Sequence, residues 1–217
     1  MTSAAQDDPT FDAGFRAAFR ELLAWRRDVR RFKRDAVSPE LVTEVLEEAH
    51  LAPSVGNSQP WRFVLVDNAA RRARVRESFR AANAEALAEY SGARAATYAR
   101  LKLAGLEDAP VHLAVFCDEG TGQGAGLGRR TMPEMLAYSC VCAINTLWLA
   151  ARARGLGVGW VSILDPDAVT DALDVSTHWR LIAYLCIGWP VETHRDPELE
   201  RAGWEARRGL TERVFRR

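Results

Sequence analysis

The order in which strand-like and helical patterns follow one another constrains the fold more than any other feature of this chain. Four short segments are rich in β-branched and aromatic residues, as strands are, at residues 61–67, 111–118, 159–163 and 181–189. Long helical patterns at residues 69–106 and 133–154 separate the first three segments. No GxGxxG motif follows the first strand. This order favours an α+β layer fold over a dinucleotide-binding fold.

Two helices are predicted ahead of the first strand. Residues 11–26 carry apolar side chains at helical spacing, which indicates an amphipathic helix. Ser38 is a preferred N-cap residue and Pro39 suits the first position of a helix, so a second helix is predicted from there to Pro53. A glycine-rich segment at residues 119–128 lacks the GK[ST] ending of a phosphate loop and is predicted to be a mobile surface loop.

The composition and the net charge indicate how many domains the chain forms and which classes of partner are disfavoured. The 217 residues, 48% of them hydrophobic, suffice for one core, which predicts a single domain at residues 11–217 after a flexible segment at residues 1–10. The 29 basic and 29 acidic side chains cancel, so no overall field attracts nucleic acid or an anionic membrane. Residues 1–9 lack the apolar run of an export signal, and the apolar stretch at residues 135–151 falls short of the ~20 residues of a membrane span. We therefore expect a cytoplasmic protein with a small-molecule function and neither nucleic-acid nor membrane partners.

The sequence contains no pattern that indicates a metal centre. Four cysteines lie in apolar segments without a CxxC pair and are predicted to be reduced core thiols: Cys117, Cys140, Cys142 and Cys186. The four histidines are scattered along the chain, and no HExxH motif is present. We expect no metal cofactor, and each histidine is predicted to be structural or solvated.

A dense cluster of cations closes the first helical pattern. Residues 26–31 read RRDVRR and place four arginines around Asp28. Guanidinium groups suit bidentate phosphate recognition, so the cluster is a candidate anchor for a phosphorylated ligand. The alternative is a solvated helix end that the helix dipole favours. A carboxylate among arginines stays ionised and oriented, which makes Asp28 a candidate for handling a proton.

Two further segments offer polar groups or bare backbone to a flat ligand. Residues 52–61 read APSVGNSQPW, whose hydroxyl and amide side chains suit the polar edge of a heterocycle, although an ordinary capping turn uses the same residue types. Residues 155–162 read GLGVGWVS, and their alternating glycines permit close approach of a ligand to the backbone. The alternative is a helix C-cap at Gly155 followed by a packed strand.

These three segments together resemble the nitroreductase family, in which they surround FMN, and the resemblance runs over residues 25–215. Within the family, RRDVRRF at residues 26–32 and GVGWVSILDP at residues 157–166 resemble the 5,6-dimethylbenzimidazole synthase subfamily. General nitroreductases usually carry RRSxR in the first segment and differ in the second. SVGNSQPWRFV at residues 54–64 and LGRRTMPEMLAYS at residues 127–139 match the same subfamily.

The resemblance implies a nitroreductase-like α+β fold with a central, mainly antiparallel sheet flanked by helices, assembled as a homodimer. It implies FMN contacts from residues of all three segments and from the C-terminal GWEAR segment: Arg26, Arg27, Arg30, Pro53, Ser54, Asn57, Gln59, Gly157, Val158, Gly159 and Arg207. Asp28 and Ser162 are implied to be the polar residues close to the reacting flavin. Residues 90–106 are a candidate lid over the flavin, with an amphipathic surface helix as the alternative.

The function that the resemblance implies is the oxygen-dependent fragmentation of reduced FMN to 5,6-dimethylbenzimidazole and erythrose 4-phosphate, which supplies the lower ligand of cobalamin. Reduced FMN would be the substrate, dioxygen the co-substrate, and a separate flavin reductase the functional partner. Two alternatives stay open at this point. One is an NAD(P)H-dependent FMN nitroreductase or flavin reductase, and the other is a non-catalytic flavin-binding protein.

Overall fold

The computed structural model describes residues 9–101 and 104–217, so most of the flexible segment predicted at residues 1–10 lies outside the described residues, as do Lys102 and Leu103. The strands are β1 (Trp61–Leu65), β2 (Val111–Asp118), β3 (Gly157–Val161) and β4 (Trp179–Gly188). The helices are α1 (Ala13–Trp25), α2 (Pro39–His50), α3 (Ala69–Ala88), α4 (Gly92–Arg100), α5 (Gly105–Asp108), α6 (Met135–Ala153), α7 (Pro166–Leu173) and α8 (Glu198–Arg201). Short 3₁₀ helices cover Val55–Asn57 and Leu210–Arg213.

The four strands form one sheet in the order β1-β2-β4-β3, and every neighbouring pair is antiparallel. The predicted α+β class with a mainly antiparallel sheet flanked by helices is therefore confirmed. Strand β2 has the bounds that its apolar run predicts, and it is buried along almost its whole length. Strands β1 and β3 form the two edges of the sheet.

Two apolar clusters cover the two faces of the sheet. Alternate residues of a strand point to opposite faces, so Leu113 and Val115 of β2 join the cluster under α2 and α6, whereas Ala114 and Phe116 join the cluster under α3, α5 and α7. The prediction that the apolar stretch at residues 135–151 is too short for a membrane span is wrong, because helix α6 extends to Ala153 and is long and apolar enough, by length and composition, to cross a membrane. Its buried residues, however, pack in the first of these clusters, which accounts for its apolar character.

Three differences from the predicted pattern have local causes. The helical pattern at residues 69–106 is divided among α3, α4 and the start of α5, and the break before α4 lies where Ser91 is extended and Gly92 has φ +57°. Helix α7 was not predicted, although Asp165 caps it by accepting hydrogen bonds from the N–H groups of two residues in its first turn. Three cysteines are buried as predicted, but Cys142 is exposed because it lies on the outer face of α6.

Candidate functional site

Asp28 is fixed to the edge strand β3. Helix α1 ends at Trp25, and the chain then runs extended beside β3, where the Val29 N–H donates to the Val158 carbonyl at 3.0 Å. The Asp28 carboxylate accepts a hydrogen bond from the Trp160 N–H through Oδ1 at 3.0 Å and lies 3.4 Å from Arg30 Nε through Oδ2. Its side chain remains 35% exposed, so a bound ligand can reach it.

The surroundings of Asp28 favour exchange of a proton. Although the side chain is 35% exposed, the protein packed around its carboxylate disfavours the charged form, and this burial raises the pKa of Asp28 above its ordinary value; the charge of Glu198 acts in the same direction. The hydrogen bond from Trp160 and the charge of Arg30 oppose this rise without reversing it. A carboxyl group with a raised pKa binds and releases protons closer to neutral pH than an ordinary aspartate, which is the property of a general acid or base.

The four arginines of the cluster divide into two pairs. Arg30 and Arg31 both form ion pairs with carboxylates. Arg30 lies beside Asp28 and Glu198. Arg31 binds Glu192 and Glu198. Glu192 in turn receives a contact of 2.9 Å from His194, and these two partners, His194 first and then Arg31, lower the pKa of Glu192 to about 2. Arg31 is therefore held by an ionised carboxylate.

Arg26 and Arg27 have no such partners. The Arg26 guanidinium lies 4.8 Å from the centre of the Trp148 ring, and Arg27 donates to the carbonyl of Arg195 at 2.7 Å. Burial lowers the pKa of both arginines, and the positive charge of Arg207 lowers it further. Within the described part of the chain, no carboxylate forms an ion pair with these two arginines or with Arg207. Three guanidinium groups without a paired carboxylate form an arrangement that suits a phosphate.

The turn before β1 is held in a strained conformation. Gly56, Asn57 and Gln59 all have positive φ, at +57°, +53° and +44°, and only the first is a glycine. The Ser54 hydroxyl accepts from the Gln59 N–H at 3.0 Å, and the Gln59 side-chain amide donates to Asn57 Oδ1 at 3.0 Å. Such strain persists only where surrounding contacts fix the backbone and is common at ligand-binding sites.

The glycine-rich loop at residues 119–128 packs against this turn. A Cβ at Gly56 would lie 3.0 Å from the Leu127 carbonyl oxygen, and the Gln123 side-chain amide donates to the Asn57 carbonyl at 3.0 Å. The loop has four residues with positive φ, one of which is Ala125. It is a series of turns that supports the 53–59 segment.

The predicted FMN contacts fall into two groups within one chain. The arginine cluster and residues 157–159 lie at edge strand β3, whereas the turn leads into β1 at the opposite edge. Three strand spacings separate these edges, or about 14 Å. The turn also contacts the start of α6, since the Val55 N–H donates to Ser139 Oγ, while Arg27 contacts α6 at Trp148, about 14 Å further along the helix axis.

Gly157 and Gly159 are explained by packing within the chain. A Cβ at Gly159 would lie 2.2 Å from the Val29 carbonyl oxygen, and a Cβ at Gly157 would lie 2.7 Å from a Val29 methyl group. Both positions and Val158 between them are buried. The bare backbone here admits Val29 and so fixes Asp28. Gly155, with φ +80°, follows the end of α6 in the left-handed conformation of a helix cap.

Ser162 lies just after the end of β3 and is exposed. Only Val161 separates it from Trp160, the hydrogen-bond donor to Asp28, so about 7 Å of extended chain joins the two positions. Sequence patterns gave no sign of Glu192 and Glu198, because the fold brings them to Arg31 from 161 and 167 residues away.

Among the described residues, no group of three or more His, Cys, Asp or Glu side chains is placed to hold a metal.

Comparisons with known proteins agree with this geometry. Residues 23–189 match the model of the nitroreductase family. A 5,6-dimethylbenzimidazole synthase of Rhodospirillum rubrum is 60% identical over 200 residues, which cover 92% of this chain and 95% of the relative. This confirms the subfamily resemblance that the sequence motifs carry.

Solved structures share the fold. An iodotyrosine deiodinase bound to FMN and 3-iodo-L-tyrosine superposes with a TM-score of 0.69 at 24% identity, covering 81% of this chain and 91% of its own. A BluB-like flavoprotein of Clostridium difficile superposes with a TM-score of 0.67 at 22% identity, covering 91% and 97%. The family model spans most of the chain and the sheet has the same architecture, so this chain belongs to the nitroreductase family.

Proposed function

We propose that this chain is a 5,6-dimethylbenzimidazole synthase, an oxidoreductase that uses dioxygen to fragment reduced FMN. The 60% identical relative is a 5,6-dimethylbenzimidazole synthase, and the use of reduced FMN and dioxygen is what the subfamily resemblance implies. The structural observation that carries the proposal is the Asp28 carboxylate, which is held on β3 in the same segment as Arg26 and Arg27, two arginines that have no carboxylate partner among the described residues. Reduced FMN, when bound, supplies the electrons that reduce dioxygen and the ring that becomes the product.

The phosphate of FMN binds at Arg26, Arg27 and Arg207. Burial lowers the pKa of Arg26 and Arg27 most, and the positive charge of Arg207 lowers both pKa values further, so a dianion among these guanidinium groups stabilises their charged forms. The Trp148 ring supports Arg26 from below. Arg30 remains a predicted contact for FMN, but its ion pairs with Asp28 and Glu198 favour a role in orienting Asp28.

Asp28 and Ser162 handle protons beside the reacting ring. Oδ1 of Asp28 is occupied by the Trp160 N–H, which leaves Oδ2 as the atom that takes up or gives back a proton. Because Arg30 lies 3.4 Å from Oδ2, the ionised form of Asp28 is stabilised after the proton leaves. The Ser162 hydroxyl is exposed at the end of β3 and can donate to or accept from the same ligand.

A second copy of the chain completes the site. The 53–59 turn lies about 14 Å from the arginine cluster of its own chain, so we assign Pro53, Ser54, Asn57 and Gln59 to the FMN of the partner copy. Helix α1 has no buried residue and exposes Phe15, Phe19 and Leu23, and Phe11 just ahead of the helix is exposed as well. Exposed apolar surface of this kind marks an interface, and a twofold homodimer buries it on both chains.

The candidate lid at residues 90–106 includes α4 and α5, with Lys102 and Leu103 outside the described residues. Tyr90 and Tyr98 pack together with ring centres 5.0 Å apart, and Trp204 lies 5.4 Å from Tyr90. Trp204 belongs to the segment that carries Arg207. We assign this aromatic cluster the task of holding the lid beside the phosphate site, where it excludes water from the flavin.

The reaction consumes reduced FMN in the cytoplasm, and we assign its supply to a separate flavin reductase. The proposal is tested by aerobic incubation of the protein with chemically reduced FMN and chromatographic detection of 5,6-dimethylbenzimidazole. Formation of this product supports the proposal. Consumption of NAD(P)H with a nitroaromatic acceptor and no product identifies a nitroreductase, and reoxidation of intact flavin without product identifies a flavin-binding protein.

A further inference from the structure

Glu198 lies between the two arginines that follow Asp28. Its Oε1 is 3.1 Å from Arg31 Nη1, and its Oε2 is 3.8 Å from Arg30 Nε. The side chains of Glu198 and Arg30 are 19% and 13% exposed, so both are largely removed from water. Ion pairs in such surroundings are screened less than pairs on an open surface.

Arg30 Nε is shared by two carboxylates. It lies 3.4 Å from Asp28 Oδ2 and 3.8 Å from Glu198 Oε2, and this nitrogen carries a single hydrogen. Neither contact has the 2.7–2.9 Å distance of a strong charge-assisted bond. Glu198 therefore competes with Asp28 for Arg30 and weakens the pairing that would otherwise keep Asp28 ionised.

Arg31 fixes Glu198 in this position. Its guanidinium binds Glu198 through Nη1 and Glu192 through Nη2, and Glu192 is held in turn by His194 at 2.9 Å. Glu198 also opens helix α8, whose short turn is closed by backbone hydrogen bonds from residues 200–202. The carboxylate is thus anchored on the side away from Asp28.

Five groups face the Asp28 carboxylate from the elements packed around it. The Trp160 N–H and the Arg30 guanidinium favour its ionised form, and Glu198 favours its protonated form. Arg26 senses the charge of Asp28 from the same segment, and Asp28 raises the pKa of the Cys186 thiol of β4 after the larger effect of burial. Glu198 is the one anion among these that pairs with the same arginine as Asp28.

We propose that Glu198 is a positioning residue for Asp28: it shares Arg30 and is clamped by Arg31, which keeps Asp28 able to exchange a proton beside the flavin. This inference rests on the proposed function for its catalytic meaning. Its physical content, the effect of Glu198 on the protonation of Asp28, does not depend on any reaction and can be measured on the protein alone.

The first test is a carboxyl NMR titration of flavin-free protein labelled with ¹³C-aspartate, with Asp28→Asn used to assign the Asp28 signal. In Glu198→Gln, the Asp28 midpoint is expected to move to lower pH by on the order of 0.5 to 1 pH unit, because a like charge is removed and Arg30 turns fully to Asp28. Glu200→Gln, an exposed change on the same helix, is expected to leave the midpoint in place. An unchanged midpoint in folded Glu198→Gln protein overturns the inference.

Glu198→Asp keeps the charge and serves where the glutamine variant does not fold. Because the charge is kept, Asp28 in this variant is expected to titrate close to its wild-type midpoint although the side chain at 198 is shorter. A shift as large as in Glu198→Gln contradicts the role assigned to charge.

The second test is the pH dependence of single-turnover product formation. The acidic limb in Glu198→Gln should shift downward with the NMR midpoint, while reduced FMN affinity stays within about twofold because Glu198 does not touch the phosphate arginines. Absence of product in wild-type protein refutes the proposed function alone, since the NMR result still decides the role of Glu198.

Discussion

The Trp160 N–H donates a 3.0 Å hydrogen bond to Asp28 Oδ1 and so joins the arginine cluster to strand β3 across 132 residues of sequence. The second carboxylate oxygen faces Arg30. This arrangement orients Asp28 while burial still raises its pKa, so the folded protein holds a carboxylate that costs stability when it is ionised.

This cost predicts a pH-dependent gain in stability for Asp28→Asn. A carboxyl whose folded pKa lies above its unfolded value contributes stability at low pH and loses it as the pH rises through the folded pKa. The asparagine variant should therefore have a higher Tm than the wild type at pH 7, and the difference should shrink as the pH falls toward the ordinary range of aspartate. Thermal melts at several pH values measure this. A gain that is constant with pH would assign the effect to something other than ionisation.

Arg207→Ala should weaken binding of reduced FMN by about 1.5 to 3 kcal/mol, the range for a hydrogen bond to a charged group. Riboflavin lacks the phosphate, so its affinity should hardly change. Anaerobic titrations with both ligands give the comparison, and Arg208→Ala, an exposed neighbour, is the matched control. Equal losses for FMN and riboflavin would remove Arg207 from the phosphate site.

The composite site predicts complementation between two inactive variants. Asp28→Asn impairs the β3 side of the site, and a triple change of Ser54, Asn57 and Gln59 to alanine impairs the turn. In a mixed dimer, one site carries both defects and the other carries none. Random pairing makes half of the dimers mixed, each with one intact site of two, so about a quarter of wild-type activity should return.

Co-expression with two different affinity tags isolates the mixed dimers, which should then have about half of the wild-type activity because one of their two sites is intact. Activity no greater than the sum of the separate variants would show that each FMN is bound by a single chain. A protein that runs as a monomer at micromolar concentration with full activity would contradict the composite site as well.

Trp204→Ala should uncouple flavin oxidation from product formation. Trp204 packs on Tyr90 and receives the guanidinium of Arg94 over its ring at 5.2 Å, so its loss frees α4 from the C-terminal segment. The amount of dimethylbenzimidazole per FMN oxidised should fall severalfold, whereas Trp204→Phe should retain most of it. An unchanged product ratio in the alanine variant would separate this cluster from the protection of the flavin.

Local sequence patterns were sufficient for the elements with strong local signals. Strand β2 has eight residues, six of them apolar, and is buried on both faces, and Ser38 with Pro39 marks the start of α2 through its cap. The break before α4 was not predicted, although Ser91 and Gly92 form a Ser-Gly pair of the kind that marks turns, because the helical periodicity on both sides was interpreted as one continuous pattern.

For the candidate site, the sequence predicted only which residues of the motifs take part. The roles within the motif depend on tertiary contacts: Glu192 and Glu198 reach Arg31 from more than 160 residues away and divide the arginines into paired and unpaired groups. Glycine spacing alone could not show that the Val29 carbonyl oxygen packs against Gly159. These contacts join segments that are far apart in the sequence, and local periodicity carries no information about such contacts.

The most direct measurement of the central claim is single-turnover formation of 5,6-dimethylbenzimidazole from reduced FMN and oxygen by wild-type protein and by Asp28→Asn. Asparagine keeps the shape of the side chain and removes its charge, so the unpaired arginines should still bind FMN, as an anaerobic titration would report. The rate should fall by on the order of 10² to 10⁴, the range for a general acid–base group, and Ser162→Ala should lose less because water partly replaces a hydroxyl. Wild-type product formation by Asp28→Asn at unchanged FMN affinity would contradict the catalytic role of Asp28.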